Sequence, residues 1–378
     1  MLKKTVILPP SKSESNRALM MAAYGGFAPD FQNLSDSKDT YVLANALHEI
    51  QQNQPVIDIG DCGTAARFLT TYLACHEGDW LLTGSDRMKR RPIKVLVDAL
   101  KNFDANIQYV ENQGFLPLHI HGKPIAGGKV SIDMGQSSQF ASSLLLAAPM
   151  WPQGLEMELV GDLSSLPYLE MTLTMMCHFS AQTIRQGRSI VVSPQPYQKQ
   201  PFTVEPDWSA ASYWYEIAAF SEECEIRLKS LNQSTLQGDA VIAEWMKPLG
   251  VGTFTDGNDI ILRKIPFGKR HLSFDFFAHP DLYPTMAAIC AGMHVDAVFT
   301  GLDNLSLKES DRVEAMQTEL AKLGEPEIRF CAHNDHRIVM ALAPLAMLVG
   351  PVAFDHPEAV EKSYPGFWND VDFLPNLG

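Results

Sequence analysis

Short segments along the chain gather hydroxyl, amide, carboxylate and cationic groups, several of them at places where helices are expected to begin. Residues 10–17, PSKSESNR, set serine hydroxyls, the Lys12 ammonium and the Arg17 guanidinium around one such start, a combination suited to holding a phosphate or carboxylate. The GxxxxGK[ST] spacing of a nucleotide-binding loop is absent from this segment. Asp61, Cys62, Gly63 and Thr64 follow a strand-like VIDIG, and Gly63 would let backbone approach a ligand closely. Residues 86–91, DRMKRR, pack four basic residues and one acidic residue into six positions, beginning at Arg87. Gln136, Ser137, Ser138 and Gln139 offer neutral hydrogen-bonding groups, and Ser164, Ser165 and Tyr168 add a hydroxyl pair and a phenol, which suit a polyhydroxylated, phosphorylated small molecule. The carboxylates come late in the chain: Asp281 in HPDLYPT, Glu309 and Asp311 in LKESDR, and Asp335 in HNDHR. Lys308, Arg312, His336 and Arg337 share those motifs and Lys362 follows in EKSYPGF, so acids and bases stand side by side, as proton transfer requires. Taken singly, each segment also reads as a helix cap or a solvated turn, and Glu309 with Arg312 reads as a helical ion pair.

The elements that must position these groups recur. Ala-rich runs with little charge begin at Asn16, Thr64, Gln139, Ala210, Tyr283 and His336, at intervals of 48, 75, 71, 73 and 53 residues. Amphipathic helices ending in similar tetrads, at 47–50, 100–103, 176–179, 246–249 and 320–323, alternate with them. Short β-branched or aromatic runs such as VSIDM, LEMELVG, SIVVSP, IILRKI and LSFDFF lie between and read as strands. The pattern predicts an α/β chain of about six copies of a unit of some 70 residues, each with one buried and one half-exposed helix. Three copies per domain would pack three Ala-rich helices in each core under outer sheets. The 48-residue first interval predicts a first copy that has lost a hairpin. Helix N-termini aimed into one cleft would make an anion site.

The 378 residues, 46% hydrophobic and 20% charged, suit a globular chain long enough for two domains. Thirty Lys and Arg against 44 Asp and Glu give a net charge of −14, which argues against nucleic acid and anionic membranes as partners. The six cysteines form no CxxC pair and read as thiols in a reducing compartment. The N-terminal apolar stretch stops at Pro9 and Pro10, too short for a signal-peptide core, so a cytoplasmic location is expected. The apolar window 338–354 is broken by Pro344, Gly350 and Pro351 and reads as a buried helix running into a strand.

In their order, Lys12-Ser13 with Arg17, DCGTAARFL, RMKRRPI, QSSQF, SSLPY, HPDLYPT, LKESDR, NDHR and KSYPGF closely resemble the 5-enolpyruvylshikimate-3-phosphate synthase family, over residues 8–367. The resemblance implies a two-domain enolpyruvyl-transferase fold of six βαβαββ-like units, and transfer of the enolpyruvyl group of phosphoenolpyruvate to the 5-hydroxyl of shikimate 3-phosphate with release of phosphate. It implies neither metal nor organic cofactor. By the resemblance, Lys12, Ser13, Arg17, Ser137, Ser138, Gln139, Ser165, Asp281 and Lys308 would hold shikimate 3-phosphate. Lys12, Gly63, Arg87, Gln139, Arg312, Arg337 and Lys362 would surround phosphoenolpyruvate. Asp281 is expected to be the base and Glu309 the acid that protonates the methylene, with Lys12 and Lys362 stabilising charge as phosphate leaves. Tyr168, Asp61, Asp335 and His336 are secondary candidates. Asp61 and Cys62 depart from the Asn and Ala of many relatives beside the donor loop.

Two alternatives accompany this reading: UDP-N-acetylglucosamine enolpyruvyl transferase, which shares fold and donor but typically carries a Lys-Asn pair at the first motif, and a non-catalytic anion-binding relative. One lobe is expected to comprise residues 1–9 and 207–378 and the other 10–206, with a hinge near 9–10 and 205–207. Closure of the lobes would exclude water. A monomer is expected, with Lys12, Arg17, Arg87, Arg312, Arg337 and Lys362 creating a local positive field in an acidic protein.

Overall fold

Uncharged runs of Ala, Ser and Thr have no face suited to water, and in the computed structural model of the chain they become the centres of two helix trios. The structure describes residues 1–268 and 271–375. The chain divides into two compact units, one made of Met1–Ser11, Ser35–Lys38 and Glu205–Gly378, the other of Lys12–Leu34 and Asp39–Val204.

In the unit that begins at Lys12, the central helices are Lys12–Gly25, Gly63–Cys75 and Ser138–Ala147, packed on one another. Small side chains let them approach, and their hydroxyls then bond between helices. Thr71 Oγ1 and Ser143 Oγ lie 2.6 Å apart, while Ser143 Oγ also lies 2.7 Å from the Arg67 carbonyl, so one hydroxyl links two helices. Two sheets cover the trio. One runs in the order Val56–Asp58, Gly78–Thr83, Leu118–Gly122, Asn106–Tyr109, and the other in the order Gly128–Asp133, Leu155–Val160, Ser189–Val192, Thr183–Gln186. In both, the first pair is parallel and the remaining two are antiparallel. Each is therefore a strand–helix–strand crossover followed by a helix and a hairpin, the βαβαββ unit. Alternation along Leu155–Val160 is complete, with Leu155, Met157 and Leu159 buried and Glu156, Glu158 and Val160 exposed. One face of that strand meets the core and the other meets water.

The other unit repeats the design with Trp208–Phe220, Tyr283–Gly292 and His336–Leu342 at its centre, and Ser212 Oγ lies 3.1 Å from Thr285 Oγ1 between the first two. Its four-stranded sheet has the order Leu2–Val6, Cys224–Leu228, Asp259–Lys264, Val251–Asp256. The first strand of this copy thus comes from the beginning of the chain, and the rest follows some two hundred residues later. Residues 338–354 form helix, short helical turns and then the strand Val352–Phe354.

Copy number agrees with the Ala-rich intervals, but hairpin loss is wider than the first interval alone predicts. Among the described residues, no strand lies between Val6 and Val56, which is the predicted short copy. Two further copies are also short: among the described residues, His271–Asp275 pairs only with Asp296–Thr300, and Ile328–Phe330 only with Val352–Phe354, each as a parallel pair. The 53-residue interval between Tyr283 and His336 carried that information, since about 20 residues are missing relative to the full copies. No helix among the described residues is long and apolar enough to cross a membrane.

One residue contradicts the apolar character of its helix. Glu216, in the centre of Trp208–Phe220, is fully buried, and neither carboxylate oxygen has a hydrogen-bond partner among the described residues. Burial pushes its carboxyl well above the usual carboxylate range. The folded state therefore holds a proton that the unfolded chain releases near pH 4.3, and stability falls by about 1.4 kcal/mol per pH unit between that value and the folded one. Glu216→Met is expected to stabilise the protein at neutral pH, with a gain that vanishes toward about pH 4. Urea unfolding of both proteins across that range checks it, and a pH-independent difference refutes it.

Candidate active site

The candidate residues of the Lys12 unit stand at four helix N-termini. Lys12 opens Lys12–Gly25 and its Nζ lies 3.0 Å from Asp39 Oδ2, both side chains largely buried. Arg17, 3% exposed, is one turn on. Its Nη1 donates to the Ser13 carbonyl at 2.9 Å, its Nη2 to the Tyr168 carbonyl at 3.0 Å and its Nε to Thr172 Oγ1 at 2.7 Å. Burial lowers its pKa to about 10, although the nearby Tyr168 and Glu14 oppose that shift. Arg17 thus ties the start of the first helix to the start of Leu166–His178, where Ser165 adopts a left-handed backbone with φ +55°. That conformation is uncommon for serine and is characteristic of segments held for function. Ser164 Oγ lies 3.4 Å from Ser165 Oγ, and Tyr168 sits half-buried on the same turn.

A second linkage joins the other two helix starts. Cys62 caps Gly63–Cys75, its Sγ accepting from the Ala65 N–H at 3.4 Å. Ser137 caps Ser138–Ala147, its Oγ accepting from the Gln139 N–H at 3.2 Å, and Gln139 Nε2 donates to Thr64 Oγ1 at 3.1 Å. Gly63, Ser137, Ser138 and Gln139 are brought together by these bonds. Two guanidiniums crowd Gly63: a Cβ there would stand 2.5 Å from Arg91 Nη1 and 3.1 Å from Arg67 Nη1. Arg67 donates from Nη1 to the Gly63 carbonyl at 3.1 Å and from Nη2 to the Pro92 carbonyl at 3.2 Å. Arg87 lies half-buried immediately before the turn Met88–Arg90, and the exposed Asp61 accepts a hydrogen bond from Ser85 Oγ.

In the other unit the acids and bases form one buried network centred on Arg312. This guanidinium, 1% exposed, reaches three carboxylates: Nη1 donates to Asp281 Oδ1 at 2.8 Å, Nη2 to Glu309 Oε2 at 3.0 Å, and Nε to Asp335 Oδ2 at 2.8 Å. The second oxygen of Asp281 accepts from Arg337 Nη2 at 2.7 Å. Asp335 is fully buried; it caps His336–Leu342 by accepting from the Arg337 N–H at 3.0 Å and also accepts from Ser310 Oγ at 3.1 Å. Asp311 caps Arg312–Leu320, which places Arg312 at the first helical position. His336 Nδ1 lies 3.6 Å from Asp335 Oδ1. Lys362 is buried at the end of the turn Pro357–Lys362, which packs on the His336 helix. For Asp281, burial disfavours ionisation, but Arg337, Lys308 and Arg312 outweigh it and hold the carboxyl well below the usual range. Arg312, stripped of water yet surrounded by Asp335, Glu309 and Asp281, is held above the usual arginine value.

The Glu309–Arg312 pair is therefore interior, where the helical spacing alone also allowed a surface pair. Some neighbours have no signal in sequence. Asp39 pairs with Lys12 across 27 residues. Arg67 and Arg91 are two buried guanidiniums beside Gly63. Tyr213, read as core, stands beside Arg337, which partly offsets the upward effect of burial on the phenol.

Residues 49–371 match the family described as EPSP synthase (3-phosphoshikimate 1-carboxyvinyltransferase). A 3-phosphoshikimate 1-carboxyvinyltransferase of Bacteroides fragilis (strain YCH46) is 42% identical over 391 residues, covering 98% of this chain and 95% of that protein. The enzyme of the same name from Mannheimia succiniciproducens is 35% identical over 429 residues, covering 99% and 97%. The structure of an EPSP synthase from Acinetobacter baumannii superposes with a TM-score of 0.74 at 19% identity, covering 100% of this chain and 96% of that one, which shows a shared fold. With near-complete coverage at these identities, the chain belongs to the EPSP synthase family.

Proposed function

We propose that this protein is a 3-phosphoshikimate 1-carboxyvinyltransferase of the shikimate pathway, transferring the enolpyruvyl group of phosphoenolpyruvate to the 5-hydroxyl of shikimate 3-phosphate. Family membership supports the activity, and the observation that carries the chemistry is the single Asp281 carboxylate held between Arg312 and Arg337, with Glu309 on the same guanidinium.

The reaction adds an O–H across a carbon–carbon double bond and then eliminates. Asp281 takes the proton of the 5-hydroxyl as its oxygen bonds to C2 of phosphoenolpyruvate, while Glu309 delivers a proton to the methylene, which becomes a methyl group. Loss of phosphate from C2, with one methyl proton returned to the Glu309 carboxylate, restores the double bond and gives the enolpyruvyl ether. Arg312, Arg337, Arg87 and Lys362 hold the donor's carboxylate and phosphate, and Lys12 stabilises the charge on the departing phosphate. Ser13, Arg17, Ser137, Ser138, Gln139, Ser165 and Lys308 hold the acceptor, with Gly63 leaving room for the donor.

The test is phosphate release from phosphoenolpyruvate. Release that depends on shikimate 3-phosphate supports the reading. Release with UDP-N-acetylglucosamine in its place supports the related transferase. Calorimetric binding of shikimate 3-phosphate without any release identifies a non-catalytic relative.

A further inference from the structure

We propose that Asp79, His119 and His121 form a surface site for a divalent transition-metal ion, zinc foremost. The three residues lie on two hydrogen-bonded strands of the first four-stranded sheet, Gly78–Thr83 and Leu118–Gly122. In the antiparallel register Asp79 faces His121 directly, and His119 faces Leu81, one diagonal step away. Their neighbours Trp80, Leu82, Leu118 and Ile120 are buried, so alternation puts all three polar side chains on the outer face of the sheet.

The side chains already converge there. One ligand atom from each residue lies within 4.8 Å of the others, the one such grouping among the described residues. His121 Nδ1 contacts Asp79 Oδ1, His119 Nε2 is 3.7 Å from the same oxygen, and the imidazole centroids are 4.4 Å apart. Zinc bonds of about 2.0–2.2 Å place tetrahedral ligand atoms roughly 3.4 Å apart, so small rotations of half-exposed side chains bring the three to bonding distance. The backbone that carries them is fixed by the sheet ladder, which removes most of the ordering cost of binding. On the adjoining strand Asn106 faces His121 and Gln108 faces His119, so neutral amides flank the imidazoles in register.

Donor chemistry selects the ion. Two imidazoles and one carboxylate suit Zn2+ or Cu2+, whereas Mg2+ and Ca2+ prefer oxygen ligands throughout. Three protein ligands leave at least one position for water or an outside group. The site is independent of the transferase reading, since none of its residues belongs to the network around Arg312 or to the four helix starts.

Untagged, chelator-stripped protein titrated with Zn2+ by calorimetry should show one saturable site, and Mg2+ under the same conditions none. The His119→Gln/His121→Gln double variant should lose that site while keeping its circular dichroism and phosphate release. Cu2+ bound to the wild-type protein should show coupling to two nitrogens in its paramagnetic resonance spectrum, a readout that requires no variant. Absence of saturable Zn2+ binding, equal binding by the double variant, or a copper spectrum without two nitrogen ligands each overturns the proposal and leaves a surface Asp–His ion pair.

Discussion

Asp281→Asn should lower the rate of phosphate release by about 10²–10⁴-fold, the usual contribution of a positioned general base, while shikimate 3-phosphate still binds. The substitution keeps the shape of the side chain and one oxygen able to accept a hydrogen bond. It removes the negative charge that Arg312 and Arg337 share at 2.8 and 2.7 Å. Arg312 retains Asp335 and Glu309, so the network loses one member rather than its centre. Calorimetry with the acceptor and single-turnover phosphate release together separate binding from chemistry, and near-normal turnover would remove Asp281 from the role of base.

The wild-type pH profile carries a second mark of the same residue. Because its pKa is lowered, Asp281 stays ionised in the free enzyme as pH falls to about 4. It therefore contributes no acid limb to kcat/KM above that value. On the proposed roles of Arg312 and Arg337, the oxyanions of phosphoenolpyruvate compete for the guanidinium N–H groups that hold the carboxylate ionised, and Asp281 should become a stronger base when the donor is bound.

Asp335→Ala is expected to destabilise the protein by about 3–5 kcal/mol, the range for breaking a buried ion pair by removing one partner. Three groups lose their acceptor together: Arg312 Nε, Ser310 Oγ and the Arg337 N–H at the start of its helix. The guanidinium left behind is 1% exposed and has little access to compensating water. Asp335→Asn keeps an acceptor oxygen for the cap and should be affected less. Urea unfolding of the three proteins orders them as wild type, Asn and Ala. An Ala variant within about 0.5 kcal/mol of wild type, the margin of an ordinary surface substitution, sinks the assignment.

Much of this architecture is legible in the residues because its physical cause is local. A helix reading TAARFLTTYLA has no charged face after Arg67, so it has to be covered on all sides, and six such helices at roughly regular intervals imply repeated units. Caps at Ser137, Asp207, Asp311 and Asp335 follow from the preference of their side chains for helix N-termini. The hairpin missing between Tyr283 and His336 is equally legible in the 53-residue spacing. What sequence does not show is which charge meets which. Lys12 and Arg17 read as cations for a substrate, and nothing in the sequence shows that Lys12 Nζ also lies 3.0 Å from Asp39 or that Arg17 donates to Ser13, Tyr168 and Thr172. Such pairings depend on where helices from distant copies are brought together. Glu216 illustrates the reverse failure: inside SYWYEIAA it resembles an ordinary helical glutamate, and only complete burial makes it a liability.

The parallel pairing of Leu2–Val6 with Cys224–Leu228 sets an order on synthesis. The strand made first finds its partner only after more than two hundred further residues have been added, which takes roughly 10–40 s at translation rates of about 5–20 residues per second. By then the whole Lys12 unit has emerged and can have folded, so its folding shortens the effective loop that must close to bring residues 2–6 to their neighbour. The nascent chain must carry an unpaired strand edge throughout that interval. The exposed Lys3 and the half-buried Lys4 give this edge a charge that discourages pairing with other chains until Cys224–Leu228 arrives.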